Sequence, residues 1–254
     1  MLWIRLTALY VYFMLASLAG LLLSFLRPFN PNNNALFGRI YAWGGQRALG
    51  VRLEVEGREH LQGLQGAVIL ANHQHNLDMF MLGALVPART VVVGKASLRW
   101  LPLFGQIFWL ADNVLIKRGQ RDKALAAIEA SREALVTERK NVWIFPEGTR
   151  NGGRQLRPFK KGAFHAAIGA QAPLVMICVS SYPDALAQGR RILRVRVLPP
   201  VSAEGMSTAD MPTLIRDCEQ RMAQTIAELD AGLHWQGRRQ VPVWPLPTAE
   251  VSAA

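Results

Sequence analysis

The chain has 254 residues, half of them hydrophobic and 19% charged, with a formal net charge of +11 from 29 Lys and Arg against 18 Asp and Glu. That length holds one substantial domain and a small appendage, and the charged share lies below the quarter or so usual for soluble domains. The excess of cations suits an anionic partner. With no zinc-finger spacing, no RNA-binding aromatic signature and no dinucleotide fingerprint, nucleic acid is set aside in favour of a membrane surface or a phosphorylated small molecule. The two cysteines, Cys178 and Cys218, make neither a disulfide framework nor a metal-ligand pattern. They read as reduced packing residues of a protein working on the cytosolic side.

Residues Leu6 to Leu26 form an almost unbroken apolar run between Arg5 and Arg27. As a helix, about 21 residues reach about 30 Å, the thickness of a hydrocarbon core. The run is long for the h-region of a cleaved leader, and no small-x-small site precedes Arg27-Pro28, so an uncleaved membrane segment is expected. Ala35 to Leu49 then sets Leu36, Phe37, Ile40, Tyr41 and Trp43 beside Arg39 and Arg47, an interfacial amphipathic pattern. The expected picture for residues 1–50 is a membrane-associated pair of helices, which either crosses the bilayer or lies in one leaflet. Arg39, Arg47 and Arg52 follow the apolar run while only Arg5 precedes it, so any span would put the main domain inside.

From about Val51 the pattern changes to short apolar strands separated by helical periodicity, and a domain is expected over 51–240. Strands are predicted at Val51–Val55, Ala67–Ala71, Thr90–Gly94, Asn113–Lys117, Asn141–Phe145, Leu174–Ser180 and Ile192–Leu198. Helices are predicted at Met79–Val86, Arg121–Glu138, Gly162–Ala170 and Thr213–Leu233. The alternation points to an α/β fold with a mixed or largely parallel sheet of about seven strands flanked by helices, and binding residues in such sheets gather at strand ends. The tail, 241–254, is rich in Pro and Ala and is expected to be loosely ordered.

Two polar motifs fall at such strand ends. His73 and Asp78 follow the second strand, separated by four residues. A turn of that length can return the carboxylate to the imidazole, fix its tautomer and leave Nε2 free as a general base. The same spacing occurs by chance in roughly one chain in four of this length, and Asp78 could equally cap the helix near Met79. Phe145-Pro-Glu-Gly-Thr-Arg150 follows the fifth strand. Pro146 and Gly148 shape a turn that displays Glu147, Thr149 and Arg150; Arg150 offers a fork for phosphate, Thr149 a hydroxyl donor, and Glu147 a carboxylate for a substrate hydroxyl or for steadying cations. A salt-bridged structural turn is the alternative. Lys95 after the third strand and Arg118 after the fourth are further candidates for an anion pocket.

Taken together these motifs resemble the glycerolipid acyltransferase family, most closely its bacterial members acting on 1-acyl-sn-glycerol-3-phosphate, and the similarity covers nearly the whole chain. His73 through Asp78 is similar to the family's His-x4-Asp block. Gly94-Lys95 through Pro102, Gly105 and Arg118 is similar to the second block, Phe145–Arg150 to the third and Pro173–Ile177 to the fourth. In that fourth block Met176 stands where the family usually has a second proline, on what is thought to be the acyl-donor side. The resemblance implies acyl transfer from acyl-CoA or acyl-carrier protein to the sn-2 hydroxyl of lysophosphatidic acid, giving phosphatidic acid for phospholipid synthesis. It implies His73 as base, Asp78 as its orienting partner, and Lys95, Arg118, Glu147, Gly148, Thr149 and Arg150 as acceptor contacts. It implies no metal and no bound cofactor. Acylation of another lyso-lipid, such as a lyso-ornithine lipid, and non-catalytic lipid binding are the competing expectations.

Overall fold

The computed structural model describes residues 2–116, 121–183, 186 and 191–232. All seven predicted strands form: β1 Arg52–Glu56, β2 Val68–Ala71, β3 Thr90–Lys95, β4 Val114–Ile116, β5 Asn141–Ile144, β6 Leu174–Val179 and β7 Ile192–Val197. They build one sheet in the order β1-β7-β6-β2-β5-β3-β4. Strands β6, β2, β5, β3 and β4 run parallel; β7 is antiparallel to β6, and β1 is parallel to β7. The carboxyl ends of β2, β3, β5 and β6 therefore share one edge, which is where both polar motifs begin.

Among the described residues the α-helices are α1 Leu2–Leu26, α2 Asn32–Leu49, α3 Asp78–Leu82, α4 Phe104–Leu110, α5 Arg121–Val136, α6 Gly162–Ala170 and α7 Met211–Ala231. The helix predicted at Met79–Val86 divides into α3 and a 3-10 turn, Gly83–Leu85, and α4 had no counterpart among the predicted elements. Helix α7 shows why its sequence is helical. Met211, Leu214, Cys218, Met222, Thr225 and Leu229 recur at three- and four-residue intervals and form its buried stripe, while Pro212 starts it and Gly232, at φ 68°, ends it. Arg118 and the 241–254 tail lie outside the described residues.

Two apolar layers sandwich the sheet. Ile69, Trp143, Val175 and Ile177 face a cluster that contains Leu9, Phe37, Tyr41 and Leu49 of the amino-terminal helices together with Phe80 and Ile107. Val68, Leu70, Val142 and Met176 face the other, with Phe164 of α6 and Leu214, Cys218 and Met222 of α7. Met176 is fully buried there. Its side chain thus packs in the core on the far face of the sheet from α1 to α4.

Helices α1 and α2 are joined to the sheet by polar bonds as well as apolar packing. Asn34 Nδ2 donates to the carbonyls of Thr90 and Ala111, each at 2.9 Å. Asn113 Nδ2 donates to Asn34 Oδ1 at 2.8 Å, and Asn113 Oδ1 accepts from the Val92 amide at 2.6 Å. Backbones of Gly38 in α2 and Gly83 touch so closely that a methyl group on either glycine would collide with the other's carbonyl oxygen. Along α1, Arg5 Nη1 donates to the Leu49 carbonyl (2.7 Å), Tyr12 to that of Ile40 (2.6 Å), and Ser17 pairs with the Tyr41 hydroxyl (2.9 Å). One flank of α1 is thereby buried; the other leaves Trp3, Leu15, Leu22 and Phe25 more than 60% exposed.

Candidate active site

Strand β2 is buried on both faces, and the loop after it is tied to the end of β6 by two amide side chains. Asn72 exchanges two bonds with the Val179 backbone, at 3.0 and 2.9 Å, extending the sheet ladder with a side chain. Gln74 Nε2 donates to the carbonyls of Val179 and Ser180, and its oxygen accepts from the Tyr182 amide at 3.1 Å. With residues 72 and 74 held inward, His73 between them is displayed at the sheet edge, 17% exposed.

Asp78 opens α3 and turns back into this loop. Its Oδ2 lies 2.5 Å from His73 Nδ1 and accepts from the Gln74 amide at 2.9 Å. The His75 amide approaches both carboxylate oxygens at 3.3 Å. Asp78 is not the cap of this helix: Leu77 takes the N-cap position and no side chain caps α3, while the Asp78 carboxylate meets the imidazole and the amides of the preceding turn. A buried carboxylate on Nδ1 assigns the proton to that nitrogen and leaves Nε2 as an acceptor. The His73 ring also stacks on Phe145, centroids 4.1 Å apart at 20°, which fixes its plane.

Phe145 carries the chain out of β5 into the second motif. Gly148 takes φ 69°, a conformation that favours glycine, and its amide bonds the Phe145 carbonyl at 3.1 Å. Glu147 does not point outward as its sequence suggested. It is 1% exposed, and its carboxylate accepts from the His73 amide (2.7 Å), from Asn151 Nδ2 (2.9 Å) and from the Arg157 amide (3.0 Å). The Asn151 amide donates in return to the His73 carbonyl at 2.8 Å, and the Gly152 amide to that of Gln74 at 3.1 Å. The expected contact between Glu147 and a substrate hydroxyl thus gives way to a strut between the two motif loops, because its carboxylate is buried with protein donors on both oxygens. Burial raises the Glu147 carboxyl above its ordinary value, against the opposing pull of those donors.

Thr149 and Arg150 are exposed beyond this strut, and Arg150 has no ion-pair partner among the described residues. Lys95, also exposed, ends β3 at the same edge, three residues past the Val92↔Trp143 rung. Three features here were not expected from the sequence: the Glu147–Asn151 brace, the Phe145 stack, and Tyr182, whose hydroxyl donates to Asp78 Oδ1. The polar pair Asn72 and Gln74 flanking His73 was a legible hint of an anchored loop; Tyr182 carried no such signal, since 104 residues separate it from Asp78.

A protein-family model described as Acyltransferase matches residues 52–180, which includes both motif loops. The chain belongs to the acyltransferase family. Among its relatives, the 1-acyl-sn-glycerol-3-phosphate acyltransferase of Salmonella typhimurium is 39% identical over 231 residues, covering 89% of this acyltransferase and 93% of that protein. The Escherichia coli enzyme of the same description is 38% identical over the same length. The human 1-acyl-sn-glycerol-3-phosphate acyltransferase alpha is 37% identical over 185 residues, 71% of this chain and 65% of its own. The crystal structure of the 1-acyl-sn-glycerophosphate (LPA) acyltransferase from Thermotoga maritima superimposes with a TM-score of 0.73 at 21% identity, covering 91% of this acyltransferase and 96% of that chain, and so shares its fold.

Proposed function

We propose that this acyltransferase acylates the sn-2 hydroxyl of 1-acyl-sn-glycerol-3-phosphate, giving phosphatidic acid, with acyl-CoA or acyl-carrier protein as donor. The observation that carries the reading is the 2.5 Å contact between His73 Nδ1 and Asp78 Oδ2 in a loop braced to the arginine-bearing one. His73 Nε2 takes the hydroxyl proton as the oxygen attacks the thioester carbonyl. The tetrahedral intermediate collapses with loss of the thiolate, which recovers the proton from the imidazolium and leaves as the free thiol. Such base catalysis contributes about 10²–10⁴-fold, and the chemistry needs neither metal nor bound cofactor. Arg150 receives the acceptor phosphate bidentately, with Thr149 and the Gly148 turn beside it and Lys95 and Arg118 adding positive charge.

The same reading places the protein on the cytoplasmic face of the inner membrane, with α1 in one leaflet. A helix packed along its length on a domain cannot run across the bilayer without drawing sheet edges and loops into hydrocarbon. Lying in the interface plane, it presents Trp3, Leu15, Leu22 and Phe25 to acyl chains while Ser17 and Tyr12 keep their bonds to α2. The test is a panel of lyso-acceptors, including lysophosphatidic, lysophosphatidylcholine and lyso-ornithine lipids, assayed with labelled acyl-CoA and acyl-carrier protein. Lysophosphatidic acid should rank among the best acceptors, and His73→Ala should abolish turnover with folding preserved. A poor rank for lysophosphatidic acid would overturn the acceptor; turnover by His73→Ala would overturn the mechanism.

A further inference from the structure

We propose that Tyr182 is a positioning residue of the catalytic pair, holding one oxygen of Asp78 so that the other is reserved for His73. The phenol is 1% exposed and donates to Asp78 Oδ1, while Oδ2 takes His73 Nδ1 and the Gln74 amide. Without Tyr182, Oδ1 would keep only the 3.3 Å approach of the His75 amide, in a carboxylate 4% exposed. A buried carboxylate short of donors becomes more basic and free to turn about its last torsion, so it no longer presents a fixed acceptor to Nδ1.

The hydroxyl is itself held in place. The Tyr182 amide bonds Gln74 Oε1, and Gln74 Nε2 bonds the carbonyls of Val179 and Ser180, so a closed ring of side chains and backbone joins the end of β6 to the catalytic loop. The charged and titratable groups around it are His73, His75, Arg150 and Glu147, the last bonded to the His73 amide. Burial pushes the phenol well above its ordinary value, Asp78 pushes it the same way and Arg150 opposes them, so it stays an O–H donor through the neutral range. Tyr182 lies two residues beyond the segment matched by the family model, 52–180, and none of the motif blocks contains it. The inference rests on His73 being the base.

The experiment uses the full chain in detergent with lysophosphatidic acid and palmitoyl-CoA. Tyr182→Phe keeps the ring packing and removes only the hydroxyl. We expect kcat to fall about tenfold, the low end for one hydrogen bond to a charged group, with the acceptor KM within about twofold. The acid limb of kcat/KM should move to higher pH by about half a unit, because the more basic carboxylate stabilises the imidazolium. In an Asp78→Asn background the same change should have no further effect. A Tyr182→Phe enzyme with wild-type kcat and an unmoved limb would overturn the proposal, as would a loss that repeats in full on Asp78→Asn or that follows the folded fraction alone. Turnover by His73→Ala would remove the base and this proposal with it; an inactive His73→Ala beside a wild-type Tyr182→Phe would remove this proposal alone.

Discussion

Glu147→Gln separates two roles for the glutamate of the Phe145–Arg150 segment. The carboxylate serves three donors: the His73 amide on Oε1, and Asn151 Nδ2 and the Arg157 amide on Oε2. The substituted amide has one oxygen, so whichever side it faces, its NH₂ meets a donor on the other. One hydrogen bond to a charged acceptor, about 1.5–3 kcal/mol, is lost, and a stranded buried amide adds about 1–3 kcal/mol. Release of a buried charge offsets part of this, leaving a net destabilisation of about 2–4 kcal/mol. For a chain of this size each kcal/mol is about 2–4 °C, so differential scanning calorimetry or fluorimetry should show Tm falling by about 5–15 °C. Because His73 shares the strut, kcat should fall about 10–100-fold while the acceptor KM stays within about threefold. A variant with native Tm and an acceptor KM raised tenfold or more would refute the strut and return Glu147 to the substrate.

The same residue makes a pH prediction. Its carboxyl is raised above the ordinary 4.5, so the folded chain holds that proton more tightly than the unfolded one, and the associated stability is present below about pH 4.5 and fades as pH climbs through the folded value. The stability gap between wild type and Glu147→Gln, from denaturant melts, should therefore narrow from about pH 4.5 toward neutrality; a widening gap would refute it. Arg150→Lys keeps the charge but loses the fork, and should lower kcat/KM for lysophosphatidic acid about tenfold with Tm unchanged. Burial pushes the Cys178 and Cys218 thiols up to about 12, so a thiol reagent at pH 8 should label neither until the chain is unfolded. Gly38→Ala should lower stability by about 1–3 kcal/mol, read by urea titration, because the added methyl meets the Gly83 carbonyl.

The central strands were legible because they bury alternate residues in two apolar layers, which leaves near-continuous runs such as Val68–Ala71 and Leu174–Val179 bounded by turn residues, while β7 near one end of the sheet alternates apolar residues with Arg194 and Arg196. Helix α4 was not, since its seven residues, Phe104–Leu110, are too short to show a period and sit in an aromatic stretch. At the site, His73 and Asp78 could be paired from spacing because one short turn connects them. Glu147 could not be placed, because its direction is set by Asn151 and by the backbone of His73, 74 residues away. A charged residue beside Arg and Thr looks exposed in a sequence; only the crossing of two loops shows that its carboxylate is buried on protein donors. Tyr182 was invisible for the same reason.

The Asn34–Asn113 bonds and the Gly38–Gly83 contact have a practical consequence for handling this protein. Removing residues 1–50 to obtain a soluble fragment would strip Leu9, Phe37, Tyr41 and Leu49 from the core they share with Ile69, Phe80 and Trp143, leaving one sheet face bare. Solubility is better sought by recolouring the outer flank of α1, where Leu15, Leu22 and Phe25 can become polar without touching the bonds that Arg5, Tyr12 and Ser17 make inward.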